Sequence, residues 1–290
     1  MRTPTRWRRS GRLLEHWNDS ILVHKGQEVR IDGMGYTGIG RLWLLQILQA
    51  RARSVGVEPN YLHMIDDLET CGDADLIVGA DGVNSVVRRG YENVFGTTVT
   101  YLTNRFAWFG TAKELRSLDP HFCQDRAWPL QCPPSPPRPR YEYLRCRGGR
   151  ADVLPRGFDT MDTDRAKAAC EEVFAETLDG HRLVSNKSIW RQFPKFGMNA
   201  GPSATSVLAG DALHTAHFSI GSGTRLAMED AIALAKALEQ HAADVSAALA
   251  AYEEARKLDR YQAGNGGQRQ CRLVRALRRA HGARAHGLSQ

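Results

Sequence analysis

The residues of this chain best suited to chemistry are concentrated in 210–235. Gly210 and Asp211 close a short apolar run, Val207 to Ala209, and Gly221, Ser222, Gly223 and Thr224 open a stretch with helical apolar periodicity. The first N–H groups of a helix have no partner inside it, and the positive end of the helix dipole lies there too. Such a start favours an anion or an electron-rich carbonyl. Asp211 adds a carboxylate that only accepts hydrogen bonds, the complement of a chain of hydroxyls. A reduced flavin offers both partners, an electron-rich carbonyl edge and a ribityl chain. His214 and His217, in the same loop, are the nearest side chains able to handle a proton near neutral pH or to touch a substrate. An ordinary strand, loop and helix with a glycine-rich turn would account for the same residues with no ligand at all.

A second stretch bears on that choice. Leu76 to Val78 reads as a buried strand, Gly79 to Gly82 as a tight turn containing Asp81, and Ser85 and Arg88 open the next segment, where phosphate or ribose could be held. Together the two stretches resemble the fingerprints of the single-component FAD-dependent aromatic monooxygenases. Asp81-Gly82 matches the Asp-Gly fingerprint and Gly210-Asp211 the Gly-Asp fingerprint, in the usual order along the chain.

The resemblance implies an α/β fold, the FAD-binding flavoprotein monooxygenase fold of 4-hydroxybenzoate hydroxylase-like proteins. It implies FAD as cofactor, NAD(P)H as transient reductant, and molecular oxygen and a small aromatic molecule as substrates. Asp211 becomes a ribityl contact, Gly210 its partner in the turn, and Gly221 to Thr224 the helix start facing the flavin pyrimidine. Asp81, Gly82 and Arg88 fall in the FAD and NAD(P)H region. One departure is informative, because His217-Phe218 stands where many members carry a proline pair. With His16 to Asp19 and Gly38 to Arg41 upstream, the pattern is similar to the branch that hydroxylates salicylyl-CoA or 2-aminobenzoyl-CoA. An aromatic acyl-CoA thioester is the substrate class this implies, with Arg41 a phosphate or ribityl contact.

The elements that must carry these groups can be read from periodicity. Ser20 to Asp32 reads as strands around a Lys25-Gly26 turn, and Leu42 to Ala52 as a helix with Leu44, Leu45, Ile47 and Leu48 on its apolar side. Between them Gly33, Gly35 and Gly38 fit the Gly-x-Gly-x-x-Gly spacing of a dinucleotide turn, with Glu58 twenty residues on. The family alignment instead places Gly38 to Arg41 after the true fingerprint. The N-terminal βαβ dinucleotide finger is then lacking, and the fold is expected to be incomplete at its start. Asp164 to Ala175, Thr224 to Gln240 and Asp244 to Lys257 read as amphipathic helices, with Glu229 and Asp230 as acids suited to a helix's first turns or to packing.

Five divisions follow: a basic start over 1–14, a partial FAD-binding domain over 15–118, a disrupted substrate region over 119–157, the remaining FAD-binding and substrate region over 158–257, and a basic tail, expected to be disordered, over 258–290. Residues 119–157 hold Pro129, Pro133, Pro134, Pro136, Pro137 and Pro139. Proline removes ladder donors, so this run is expected to be a polyproline-like linker rather than a sheet. Matches that stop and resume fit either a coding sequence read partly out of frame or a true linker and binding tail. A chain so interrupted is expected to couple NADPH use to hydroxylation poorly.

Composition sets the outer bounds. A chain of 290 residues with 42% hydrophobic and 24% charged residues can bury a sizeable core. The net charge of +7 comes from arginine at the two ends, five in 1–14 and seven in 260–290 with no acid in either, leaving the middle net negative. No aromatic platform or zinc motif accompanies those ends, so no specific nucleic-acid partner is expected. No apolar run is long enough to span a bilayer, the start lacks a secretory apolar region, and the six cysteines show no Cys-x-x-Cys spacing. A cytoplasmic protein with reduced thiols, no metal site and no membrane partner is the expectation. Ser222 lacks the strand and flanking pattern of a nucleophile elbow, which disfavours a serine hydrolase. Beside the hydroxylase reading stand a flavin-dependent reductase and a non-enzymatic remnant or binding protein.

Overall fold

The computed structural model describes residues 14–24, 27–33, 36–113, 120–122, 129–131, 142–148, 157–158, 160–185, 189–198, 205–215, 222–242 and 244–257. The chain divides into two compact units that interleave in sequence, Met1–Leu62 with Thr103–Gln192, and His63–Leu102 with Phe193–Gln290. The Asp-Gly and Gly-Asp stretches fold together across more than a hundred residues because their two strands pair with each other, and 15–62 goes elsewhere. Apart from Leu14, the basic start lies outside the described residues, as does the basic tail.

The first unit is built on a sheet whose neighbours run Leu183–Ser185, Thr97–Thr111, Glu142–Gly148, Pro129–Gln131, Pro120–Phe122, Ser20–His24 and Gln27–Ile31. All these pairings are antiparallel except Ser20–His24 on Pro120–Phe122. The hairpin expected around Lys25-Gly26 is present as the pair Ser20–His24 and Gln27–Ile31. The expectation that 119–157 would exclude regular sheet is corrected for its described residues. Pro120 and Pro129 occupy strand ends, where a missing N–H is tolerated, and the proline-free Glu142–Gly148 pairs along Arg105 to Thr111. Pro133, Pro134, Pro136, Pro137 and Pro139 fall outside the described residues.

The Thr163–Val173 helix covers the sheet, started by the Asp162 carboxylate accepting from the Arg165 N–H at 2.9 Å. Its Ala166 and Cys170 pack with Phe109, Phe158, Phe174, Leu178 and Leu183 into one buried cluster. The glycine run at 33–38 resolves against a dinucleotide turn. Gly38 lies inside a strand, Tyr36–Ile39, paired antiparallel with Leu14–Trp17, whereas a dinucleotide turn needs the preceding strand to feed a parallel βαβ unit. The expected helix follows as Arg41–Ser54, with Leu45 and Leu48 exposed and Leu44 and Ile47 half-buried.

The second unit centres on two short parallel strands, Ile77–Gly79 and Ser206–Leu208, in register Ile77 to Ser206 and Gly79 to Leu208. The Val86–Gly90 helix, the Gly223–Gln240 helix and a last helix over 245–257 close around them. Val87, Phe95, Val207, Leu208, Leu213, Leu234, Leu249 and Tyr252 form the second buried cluster. The Tyr252 hydroxyl donates to the Leu208 carbonyl at 2.9 Å, tying the last helix to the end of a strand.

Gly79 is required by proximity. A Cβ there would lie 2.6 Å from Leu208 Cδ2 and 2.7 Å from Val87 Cβ, closer than packed carbons approach. Gly79→Ala is therefore expected to destabilise the protein by about 1–3 kcal/mol, the usual cost of overpacking. The urea midpoint of unfolding checks this, and an unchanged midpoint would show that the strands have room to part.

Candidate active site

Both fingerprint turns leave the same end of the strand pair. Asp81 stands two residues beyond Gly79 and Gly210 two beyond Leu208, so the turns sit side by side at the carboxyl ends of neighbouring parallel strands. Open α/β sheets place ligands at that edge, where loops diverge and helix starts face outward.

The Asp81 carboxylate is turned back onto its own loop. It accepts from the Val86 N–H at 2.6 Å, while the Ser85 hydroxyl oxygen accepts from the Arg88 N–H at 3.0 Å. Burial pushes the Asp81 carboxyl up, but hydrogen bonds from Ser85 and the Val86 N–H outweigh it and hold Asp81 below the usual carboxylate range. Gly82 has φ +81°, the left-handed region that glycine enters without cost. Arg88 is buried. Its guanidinium donates to the Ala212 carbonyl at 2.8 Å and to the Val83 carbonyl, and lies 3.8 Å from the centre of the Phe196 ring. Arg88 thus stitches the Asp-Gly loop to the Gly-Asp turn.

The Gly-Asp turn is a single 3₁₀ turn, Gly210–Ala212, pressed against the Gly223–Gln240 helix. Gly210 has φ +60°, and a Cβ on it would stand 3.4 Å from the Ala227 Cβ. Asp211 is exposed, with Oδ1 3.9 Å from where a Gly223 Cβ would be. The acceptor carboxylate and the first turn of the long helix are therefore neighbours. Ser222 precedes that helix with no hydrogen bond from its side chain to cap it, and Thr224 is exposed in the first turn.

Asp230 holds this arrangement from below. It is fully buried in the third turn of the long helix, so of the roles the sequence left open it takes packing and not the dipole-facing one. Its Oδ2 accepts from the Gly210 N–H and from His214 Nε2, both at 2.8 Å, and its Oδ1 accepts from Arg256 Nε at 2.7 Å. Burial pushes the Asp230 carboxyl up, and its hydrogen bond and charge interaction with His214, then the Gly210 N–H and Arg256, bring it below the usual range. His214 is buried, and among the described residues no partner reaches its Nδ1.

Periodicity carried a signal for this cluster. Asp230 shares a helical stripe with Leu226, Leu234 and Ala237, and Arg256 one with Ala248, Leu249 and Tyr252. An acid and a base on two apolar stripes are complementary, but nothing in the sequence pairs them. Of the other expected site residues, Arg41 is exposed at the first position of its helix in the other unit. His217 and Gly221 lie outside the described residues. Among the described residues no group of three metal-ligating side chains occurs, and no helix is long and apolar enough to cross a membrane.

An uncapped helix start beside an acceptor carboxylate, at the carboxyl edge of parallel strands, is the site architecture of a nucleotide-cofactor-binding α/β protein. Residues 46–263 match the FAD binding domain family, and the chain belongs to it. It is 37% identical over 258 residues to the salicyloyl-CoA 5-hydroxylase of a Streptomyces species, covering 85% of this chain and 50% of that protein. It is 36% identical over 243 residues to the 3-hydroxy-4-methyl-anthranilyl-(aryl-carrier protein) 5-monooxygenase of Streptosporangium sibiricum, covering 82% of this chain and 64% of that one. The chain thus spans about half the length of the first relative. Both relatives agree with the branch that the His214 to Thr224 loop implies. The fold is also that of 2-methyl-3-hydroxypyridine-5-carboxylic acid oxygenase, with a TM-score of 0.65 at 21% identity over 87% of this chain and 73% of the other.

Asp81 and Asp230 both have lowered folded-state pKa values, so each stabilises the fold above its unfolded pKa and loses that contribution as pH falls through the folded one. Stability should be level above the ordinary carboxylate value of about 4 and decline below it. Urea unfolding at stepped pH checks this, with Asp230→Asn expected to flatten the acid limb. An acid limb as steep in Asp230→Asn as in the unsubstituted protein would remove Asp230 from the account.

Proposed function

We propose that this chain is the FAD-holding body of an NAD(P)H-using aromatic hydroxylase whose substrate is an aromatic acyl thioester, carried on CoA or on a carrier protein. The observation that carries the reading is the convergence of Asp211 on Gly223 at the carboxyl edge of the parallel strands. The residues present fit a flavin. Asp211 takes the ribityl hydroxyls, and Ser222, Gly223 and Thr224 present the helix start to the electron-rich pyrimidine edge. Gly210 lets the turn lie against the helix. Gly82, at positive φ, lets the second turn approach the cofactor, and Asp81 and Arg88 shape that turn by bonding its own backbone.

The bound flavin, with oxygen, supplies the oxidising chemistry of this family. The protein's share is position and field. A helix start stabilises negative charge on the reduced cofactor without reorganising, and the dry walls around Val207, Leu208 and Leu213 keep that field strong. His214 and His217 are assigned to proton handling or substrate contact. The thioester class is supported by the names of the two relatives, a CoA-ester hydroxylase and a carrier-protein-ester monooxygenase.

Asp211→Ala is expected to weaken FAD binding by about tenfold to a hundredfold, the loss of hydrogen bonds to a charged acceptor, whereas the exposed Glu239→Ala should leave it unchanged. FAD titration followed by absorbance checks this, and equal affinity in the two variants would refute the ribityl role. NADPH consumed, hydrogen peroxide released and hydroxylated product formed from salicylyl-CoA or 2-aminobenzoyl-CoA are then counted together. Hydroxylated product supports the proposal. NADPH oxidation with FAD bound and no product would instead make the chain a flavin-dependent reductase, and failure to bind FAD would make it a non-enzymatic relative.

A further inference from the structure

We infer that Asp230 is a positioning residue for the cofactor site, a buried clamp that sets the Gly210–Asp211 turn against the helix start and fixes the tautomer of His214, with Arg256 completing the clamp. The inference rests on the flavin reading above, because the turn that Asp230 holds is the one assigned to the flavin.

Three elements meet on one carboxylate. The Gly210 N–H comes from the turn, His214 Nε2 from the segment after it, and Arg256 Nε from the last helix, at 2.8, 2.8 and 2.7 Å. Asp230 is fully buried and His214 and Arg256 are each about 5% exposed, so water does not share these contacts. A carboxylate only accepts, so the hydrogen between His214 and Asp230 sits on Nε2. In the neutral form of the ring, the form that the tautomer measurement below reads, that choice leaves Nδ1 as a lone-pair acceptor. Nδ1 is buried and no described residue supplies it with a donor. A buried acceptor without a partner is costly in a native protein, and a donor brought by a ligand satisfies it. The hydroxyls and the imide N–H of a flavin are donors of that kind.

The clamp also sets the geometry in which Asp211 works. Gly210 is held from three directions: its N–H by Asp230, its Cα face by Ala227, and its carbonyl by the N–H groups of Leu213 and His214 at 3.0 Å. The next residue is Asp211. With Gly210 at φ +60°, its carboxylate lies at the start of the long helix. Asp230 thus acts on the cofactor site through Gly210 and His214.

Asparagine cannot replace this residue. It has one acceptor oxygen where Asp230 uses two, so its NH2 would face either Arg256 or the Gly210 and His214 donors. The test takes the full chain in four forms, unsubstituted, Asp230→Asn, Arg256→Lys and Glu239→Ala, and measures two things. One is FAD affinity of the folded protein at a temperature below every variant's melting transition. The other is the His214 tautomer from nitrogen shifts of 15N-histidine-labelled, flavin-free protein at mildly alkaline pH.

The expected result is an Nε2–H tautomer and FAD uptake in the unsubstituted protein. Asp230→Asn should show a mixed or Nδ1–H tautomer with FAD affinity down about tenfold, equal to 1.4 kcal/mol. Arg256→Lys, which keeps the charge and one donor, should fall between, and Glu239→Ala should not differ. Arg256→Lys carries the test alone if Asp230→Asn does not fold, and unchanged affinity and tautomer in it would then overturn the inference. A lower melting temperature in Asp230→Asn with tautomer and FAD affinity unchanged would show a merely structural residue and overturn the inference. An unsubstituted protein with the Nε2–H tautomer but no FAD uptake would overturn the flavin reading and the clamp's service to it, leaving only the hydrogen-bond geometry confirmed.

Discussion

A fully buried carboxylate has to be paired, and that constraint organises the second unit. Desolvation alone would neutralise Asp230 or unfold the chain around it. Three donors from three elements prevent this, and in doing so they fix where those elements stand. The turn after Leu208, the third turn of the long helix and the end of the last helix share one hub. Removing any donor leaves the other groups buried beside an incompletely satisfied charge, which costs more than each hydrogen bond contributes alone. The hub therefore makes the local geometry specific as well as stable.

On top of that hub the backbone does the fine placement. Two parallel strands end side by side, and their loops are joined again by Arg88, whose guanidinium reaches the Ala212 carbonyl from the Asp-Gly side. Gly79 allows Val87 and Leu208 to meet across the strand ends, and Gly210 allows its turn to rest on Ala227. Gly79 is there because a side chain would occupy space that Leu208 and Val87 already fill, and Gly210 because its φ of +60° is in the left-handed region. The surface that results offers acceptor groups from one turn and helix-start donors from the next, a combination suited to a polyhydroxyl chain attached to an electron-rich ring.

The first unit has a different logic. Its sheet is mostly antiparallel, and one face is covered by the Thr163–Val173 helix through Ala166 and Cys170 against Phe109 and Leu183. The strand Glu142–Gly148 belongs to a region rich in proline, yet it pairs over its whole length with Arg105 to Gly110 and Thr111. Proline content is a statement about particular positions, and averaged over 119–157 it obscured a proline-free stretch with a long partner. Pro120 and Pro129 stand at strand ends, where the ladder does not need their N–H.

Local patterns in the sequence determined the helices 163–173, 223–240 and 245–257, the hairpin over 20–31, the two fingerprint turns and the residue types that suit a flavin, because periodicity, glycine and acid spacing act over a few residues. The decoy at Gly33 to Gly38 shows the limit of such signals, since its spacing fits a dinucleotide turn and the antiparallel direction of its strand excludes it. Tertiary structure alone decided that 15–62 parts from 63–102, that Arg88 bonds the opposite turn, and that Asp230, His214 and Arg256 form one cluster. The physical reason is range. A buried charge is tolerated only where partners distant in sequence converge on it, and a one-dimensional pattern can mark an acid or a base on an apolar stripe without saying which will meet.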